Sequence, residues 1–366
     1  MAVNWTIAQV LTQLDSRTKW AGSTITYAFP TTSSGLYSQG EAAGFRPVPG
    51  AQQALFTQAI RSWDDLIAPS FAQTTLTASN LEFGYSTTNV EYAHAYYPQV
   101  GSVWFKTASD VATATLGSYG YLTILHEIGH ALGLRHMGNY NGEGTWTPSS
   151  YQDSTVLSIM SYFGPRGSGS TPSTEIMNAD WTAANLRTYR PQTPMLNDVM
   201  AIQTIYGAST TTRTDNTVYG FSSNITGASA DIFDFTLNQF PVLTIFDSGG
   251  IDTLNLSGWN TPSVVSLEPG AFSSGNDMTN NIVIAYSTVI ENAITGGGND
   301  IISGNGFNNQ LNGGGGNDWL SGGGGDDSWT GELVRILLSF QEISQITSSH
   351  SVQPLVPIQC QTPSME

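Results

Sequence analysis

Three histidines, a glutamate and a glycine stand at fixed intervals in His126-Glu127-Ile128-Gly129-His130-Ala131-Leu132-Gly133-Leu134-Arg135-His136. His126 and His130 are four positions apart, the spacing that stacks two side chains on one helix face, where both imidazoles can reach a single metal ion. Glu127 is turned off that face, which suits a base acting on water better than a ligand. Gly133 can enter the left-handed region that a side chain would resist, ending the helix and turning the chain back. His136 can then supply a third nitrogen and leave one coordination position open for water, with zinc the metal best suited to such a set. The competing reading is three unrelated histidines on a core helix. Positions this restricted coincide by chance about once in 10^5 chains of such length, given ordinary residue frequencies, so that reading is set aside.

A metal site of this kind needs a rigid helix behind it. Tyr121, Leu122, Ile124 and Leu125 precede the motif and are mostly apolar, as on a buried helix. Upstream, Trp5, Ile7, Val10, Leu11 and Leu14 keep helical spacing within residues 4–20. Thr24 to Phe29 alternates like a half-buried strand closed by Pro30, and residues 51–68 carry Leu55, Ile60, Trp63 and Ile67 on one helical stripe. Leu81–Tyr85, Ala93–Tyr97 and Gly101–Phe105 read as further strands. Strand, helix, strands and then the histidine helix predict an α/β arrangement on one sheet. His94 fits a solvated or core-edge position better than a substrate cleft. A helix over residues 194–207 opens at Pro194 and stops at Gly207. The Ser/Thr-rich run 208–214 then marks a domain boundary, so residues 1–207 form the catalytic domain. Strand-like segments follow at 217–221, 231–237, 242–246 and 281–286.

From residue 295 the chain repeats with period nine against the template GGxGxDxUx, where U is large and apolar: TGGGNDIIS, GNGFNNQLN, GGGGNDWLS, GGGGDDSWT. Asp300, Asn309, Asp318 and Asp327 hold the sixth position; Ile302, Leu311, Leu320 and Trp329 hold the eighth. A flexible glycine linker would keep no such phase. The pattern is that of the RTX calcium repeat of a parallel β-roll. Its turns would offer a hard cation backbone oxygens and carboxylates from Gly296, Gly298, Asp300, Gly313, Gly314, Gly316, Asp318, Gly322, Gly323, Gly325 and Asp327. Two units make one coil, so Asp300 and Asp318 should stack along one edge, and Asn309 and Asp327 along the other.

The histidine motif is the metzincin signature HExxHxxGxxH. Followed by SIMSY (158–162) and these repeats, it resembles the serralysin family of secreted bacterial zinc proteases. TYAF, HEIGHALGL, SIMSY, PMLNDVMAIQTIYGA and VIENAITGGGND carry the likeness, from about residue 5 to residue 330. It implies His126, His130 and His136 as zinc ligands, Glu127 as catalytic base, Tyr162 as a mobile zinc ligand, and Met160 as the Met-turn floor. It also implies calcium around Arg213, Asp215 and Thr217, largely through backbone oxygens, completed by Asp247, Gly249, Gly250, Asp252 and Glu291. The implied protein is a monomer with a metzincin-like α/β catalytic domain and an all-β parallel β-roll at residues 208–330. It would be a secreted, calcium-dependent zinc endopeptidase acting on proteins and peptides, open to control by a proteinaceous inhibitor.

Net charge is −17 with 11 lysines and arginines, which argues against nucleic acid and anionic membranes as partners. A single cysteine, Cys360, excludes an intrachain disulfide. No apolar run approaches a membrane span, and the N-terminus lacks a basic region followed by an apolar one. Met137 follows the third histidine where the family usually has proline. Residues 332–366 hold no glycine and no aspartate. Relatives continue there with further calcium-binding roll and a type I export signal. The expectation is that the native reading ends near Ser328 and that residues 331–366 come from a shifted frame or truncation.

Overall fold

The computed structural model describes residues 4–75, 79–141, 147–165 and 179–336. Helix α1 (Ile7–Leu14) is capped by Thr6, whose hydroxyl accepts from the Gln9 amide while the Gln9 side chain accepts from the Thr6 amide. It is shorter than the apolar spacing suggests, because Asp15 is extended and Arg17 takes a positive φ. Strands β1 (Thr24–Ala28), β2 (Phe45–Pro47), β3 (Ser70–Gln73), β4 (Leu81–Ser86), β5 (Ala93–Ala95) and β6 (Ser102–Lys106) form one sheet ordered β3-β1-β4-β6-β5, with β2 on β4. The pairs along β3-β1-β4-β6 are parallel; β5 and β2 join antiparallel. This leaves β5 as the edge strand nearest the histidines.

Helices α2 (Gly50–Asp64) and α3 (Tyr119–Ala131) share a core with this sheet. Phe56 from α2 meets the rings of Phe83 and Phe105 edge-on at 5.6 and 5.4 Å. Trp63 is fully buried and donates its indole N–H to the Leu125 carbonyl at 3.2 Å, tying α2 to the histidine helix. Burying such a ring contributes about 1.5–3 kcal/mol, which makes α3 a stiff support. Helix α4 (Leu196–Tyr206) starts two residues after Pro194, where the Asp198 carboxylate accepts from the Met195 amide at 2.9 Å.

The remaining elements are β7 (Val218–Gly220), α5 (Ala230–Phe233), β8 (Leu243–Ile245), β9 (Thr253–Asn255), β10 (Val264–Ser266), β11 (Phe272–Ser273), β12 (Ile282–Ile284), β13 (Asn292–Ile294), β14 (Ile301–Ser303), β15 (Gln310–Asn312), β16 (Asn317–Ser321), β17 (Ser328–Thr330) and β18 (Leu333–Ile336). The strand expected at 231–237 is instead the short helix α5 and a turn. Ile232 and Phe233 are consecutive and both buried, which one strand face cannot achieve, and Asp234 accepts from the Thr236 amide and hydroxyl.

Two parallel sheets, β10-β14-β16-β18 and β17-β15-β13-β9-β7, alternate along the chain. Partners within a sheet sit two repeat units apart: Ile301 faces Trp319, and Gln310 faces Asn292 and Ser328. The central residues Leu254, Ala293 and Leu311 of one sheet share a core with Val265, Ile302 and Leu320 of the other. Strand β18 extends the parallel sheet past residue 330, pairing Asn317 with Leu333 in a register two residues shorter than that of Ile301 with Trp319. Residues 337–366, including Cys360, lie outside the described residues.

Candidate metal centre and cleft

Ser118 opens α3 by accepting from the Tyr121 amide at 3.2 Å. The helix ends where Gly133 takes φ +105°, in a place where a Cβ would strike the Thr18 carbonyl. That turn returns His136 to the other two imidazoles. Its Nε2 lies 3.2 Å from Nε2 of His126 and 3.0 Å from Nε2 of His130. Each Nδ1 faces a backbone carbonyl from a different segment: Ile159 for His126 at 2.7 Å, Leu134 for His130 at 2.7 Å, and Tyr140 for His136 at 2.9 Å. A carbonyl can only accept, so each imidazole is fixed as the Nδ1–H tautomer with its Nε2 lone pair turned inward. Three lone pairs then converge with no proton between them.

Burial, together with the neighbouring imidazoles, pushes His136 down to about 3 and His130 well below its usual value; burial alone takes His126 to about 4. All three are therefore neutral at pH 7, the form that binds metal. Ideal tetrahedral zinc–nitrogen bonds put ligand nitrogens about 3.3 Å apart, close to the spacing found. The residues fit a zinc ion. Among the described residues, this is the one group of three or more histidine, cysteine or acidic side chains compact enough to share an ion.

Glu127 is buried, one carboxylate oxygen has no hydrogen-bond partner among the described residues, and burial pushes its pKa up to about 8. It lines a cleft of about 930 Å³ together with the three histidines, Tyr162, and Ala93, His94 and Ala95 of the edge strand β5. His94 is a partly buried cleft residue, its Nε2 2.8 Å from the buried carboxylate of Glu41, which also accepts from the Tyr96 hydroxyl at 2.8 Å. Met160 is fully buried under the helix, where a side chain on Gly129 would meet its sulfur, and its carbonyl accepts from the Met137 amide at 3.0 Å. Tyr162 is 38% exposed, its ring centroid 4.6 Å from that of His136.

Motif reading missed the group that holds this turn. Asp153, fully buried, accepts from the Tyr140 hydroxyl at 2.6 Å, the Ser161 hydroxyl at 2.7 Å and the Ser149 amide at 2.9 Å. Tyr140 in turn accepts from the Tyr162 amide at 3.2 Å. Asp198 does the same for the other end, accepting from the Ser158 hydroxyl and the Ile159 amide.

The residues expected around calcium fall into two groups. Arg213 spends its side chain on Asp65, at 2.7 Å, and on the Tyr219 hydroxyl and Phe246 carbonyl. Asp215 and Gly250 approach one another, Thr217 donates its amide to Asp252, Gly249 donates to Asp247, and Asp252 donates its amide to Glu291. In the repeats, Gly314 and Gly316 take φ +71° and +116° directly against the carbonyls of Gly296 and Gly298, positions closed to a side chain. Gly313 and Gly322 pack on the carboxylates of Asp318 and Asp327, while Gly323 and Gly325 rest on the backbone of Asn305 and Phe307.

One oxygen of Asp318 accepts from the Asp300 amide at 3.0 Å and one of Asp300 from the Ser263 amide at 2.6 Å. The second oxygens of Asp252, Asp300 and Asp318 are buried without a hydrogen-bond partner among the described residues. Such oxygens fit a hard cation. The opposite edge differs: Asn309 donates to the Glu291 carbonyl at 2.8 Å and to Asn305 Oδ1 at 3.0 Å, and its amide N–H donates to Asp327 at 2.9 Å.

Comparison with known proteins locates these features. The family model for the peptidase M10 serralysin C terminus matches residues 208–342, and that for the reprolysin-like metallopeptidase family M12B matches residues 48–182. Serralysin from Photorhabdus laumondii is 35% identical over 273 residues, covering 70% of this chain and 53% of that protein. Metallopeptidase AprA from Pseudomonas marginalis is 35% identical over 298 residues, 77% of this chain and 60% of the relative. Serralysin B from Dickeya chrysanthemi is 35% identical over 312 residues, 78% of this chain and 61% of the relative. The chain thus spans between half and two thirds of the length of these relatives. A metallopeptidase segment followed by a serralysin segment, with relatives similar across both, makes the chain a member of the serralysin family.

Proposed function

We propose that the chain is a zinc endopeptidase whose ligands are His126, His130 and His136 and whose general base is Glu127. The observation that carries this reading is the convergence of three proton-free Nε2 atoms beside a buried carboxylate in an open cleft. Zinc bound there would polarise a peptide carbonyl and make water acidic enough to lose a proton near neutral pH. Glu127 takes that proton as water attacks and returns it to the leaving amine. Burial pushes Glu127 up to about 8, and a nearby cation lowers it, so the carboxyl can both accept and donate near pH 7. Tyr162 offers a phenol hydrogen bond to the developing oxyanion, and Met160 gives the site an apolar floor. Edge strand β5 would receive extended substrate by strand addition.

Residues 1–207 form the catalytic domain in this reading, and 208–330 with β18 form coils of a parallel β-roll. Calcium between its stacked turns is supported by the orphaned oxygens of Asp252, Asp300 and Asp318. Secretion and control by an inhibitor protein belong to this reading and are supported by the likeness to the serralysins. No helix among the described residues is long and apolar enough to cross a membrane. Casein zymography with calcium, with and without a zinc-selective chelator, tests the reading: a clearing band abolished by the chelator is expected, and no band, or one the chelator spares, contradicts it.

A further inference from the structure

The cleft continues on the Met160 side of the histidines. A second cavity of about 710 Å³ is lined by Tyr119, Leu122, Thr123, Ile159 and Arg190, and shares Glu127 and Tyr162 with the first. Because the two cavities share these residues, a substrate side chain beside the histidines can reach it. Its charged lining is two carboxylates, buried Glu127 at the histidines and exposed Glu91, and one cation, Arg190, the sole lysine or arginine among the residues that line it.

Arg190 is half-buried, and burial works against its charge. Its backbone amide donates to the Gly117 carbonyl at 2.9 Å, so the segment is anchored just before α3 begins. Tyr119 and Glu127 line the same cavity as Arg190. Yet Arg190 forms no ion pair with any described residue. Arg61 and Arg213, by contrast, each hold an aspartate. In a chain of net charge −17, acidic partners were plentiful. A guanidinium held partly out of water without one is costly, and a carboxylate supplied from outside removes that cost by a forked hydrogen-bonded pair.

We propose that Arg190 recognises an aspartate or glutamate side chain of the substrate adjacent to the scissile bond, so that the preferred substrates are acidic peptides. This rests on the endopeptidase reading of the same cleft. Arg135 provides the internal control. It lines the first cavity, but it is exposed, so solvent and salt screen it.

The test pairs cleavage with binding. Wild-type chain digests a peptide library, and peptides differing only by Asp or Asn at the enriched position are then compared. The expected wild-type profile is enriched in acidic residues at one position flanking the cut. Arg190→Gln should lower the Asp/Asn ratio of kcat/KM at least about 10-fold while still cleaving the Asn peptide. Arg190→Lys should retain part of the ratio, and Arg135→Gln should change it by less than about fivefold. An unchanged ratio in Arg190→Gln overturns the assignment and leaves proteolysis standing. In parallel, fluorescence anisotropy of the same labelled peptides on zinc-loaded Glu127→Ala chain reads recognition without turnover. Preference for Asp that Arg190→Gln or Arg190→Lys weakens supports the proposal, and equal binding of both peptides overturns it. A wild-type chain that cleaves nothing overturns the endopeptidase reading, and the anisotropy arm still decides recognition.

Discussion

His126, His130 and His136 approach their common point as neutral groups, each tied through Nδ1 to a carbonyl on a different segment. Asp300 and Asp318 approach theirs as acids, with one oxygen of each spent on a backbone amide and the other left over. Both arrangements favour a cation, but they differ in what stands when it is removed. The imidazoles are held by a buried helix, the turn at Gly133 and the Met160 segment, so the cleft is assembled by protein alone. The stacked turns bring carboxylates together in small cores of three-residue strands, so a cation bound there would contribute to the fold itself.

Chelation should split the two regions most sharply. Removing zinc should abolish peptide hydrolysis, by more than about 1000-fold, with little change in near-ultraviolet circular dichroism. Removing calcium should lower the melting temperature by about 10 °C, the amount expected when ligand at about 1000 Kd is withdrawn from a domain of this size. Loss of the tertiary signal on zinc removal alone would break the comparison.

Tyr162→Phe sharpens the cleft side. The ring stays against His136 while the hydroxyl is lost, so kcat should fall about 10- to 1000-fold with KM little changed. Steady-state kinetics checks this, and an unchanged kcat removes the phenol from the mechanism.

Within the repeats, the two edges should respond in opposite ways. Asp318→Asn removes one of the two stacked carboxylates of its edge, and calorimetric titration should show weaker calcium binding. Asn309→Asp starts from an amide already satisfied by the Glu291 carbonyl and Asn305. It should tighten calcium binding yet lower the melting temperature in calcium-free buffer, because the new carboxylate then faces two oxygens. Equal calcium affinity in wild type and both variants would mean that these turns are not calcium sites.

The smallest effect is one of sign in the metal-free chain. Burial lowers His126 from 6.5 to about 4, so its contribution to stability is present above pH 6.5 and is lost as pH falls through about 4. Burial raises Asp252 from 3.8 to about 7, so its contribution is present below pH 3.8 and is lost as pH rises through about 7. Hydrogen exchange between pH 7 and 4 should therefore show the cleft loosening and the turn around Asp252 tightening as acid is added. Movement of both in the same direction would contradict the assignment of neutral donors to one region and acids to the other.

Local spacing made most of this legible from the chain. The histidine helix, its termination at Gly133, the Met160 turn and the nine-residue phase all depend on intervals within one segment. Residues 231–237 misled because Ile232, Phe233, Phe235 and Leu237 are apolar in the density of a strand, and only packing separates that from a helical turn. Asp153, Asp198 and Arg190 were invisible for another reason. Each acts across the fold, on Tyr140 and Ser161, on Ser158 and Ile159, and at the cavity wall, and no interval in the chain records those distances.

Zinc content and peptide hydrolysis of Glu127→Ala, measured on one sample beside wild type, test the central claim most directly. The ligands are untouched and held by backbone carbonyls, so elemental analysis should find zinc at the wild-type stoichiometry of about one per chain. Hydrolysis should fall by about 10²- to 10⁴-fold. A variant that keeps its zinc and more than about a tenth of wild-type activity would contradict general-base catalysis by Glu127.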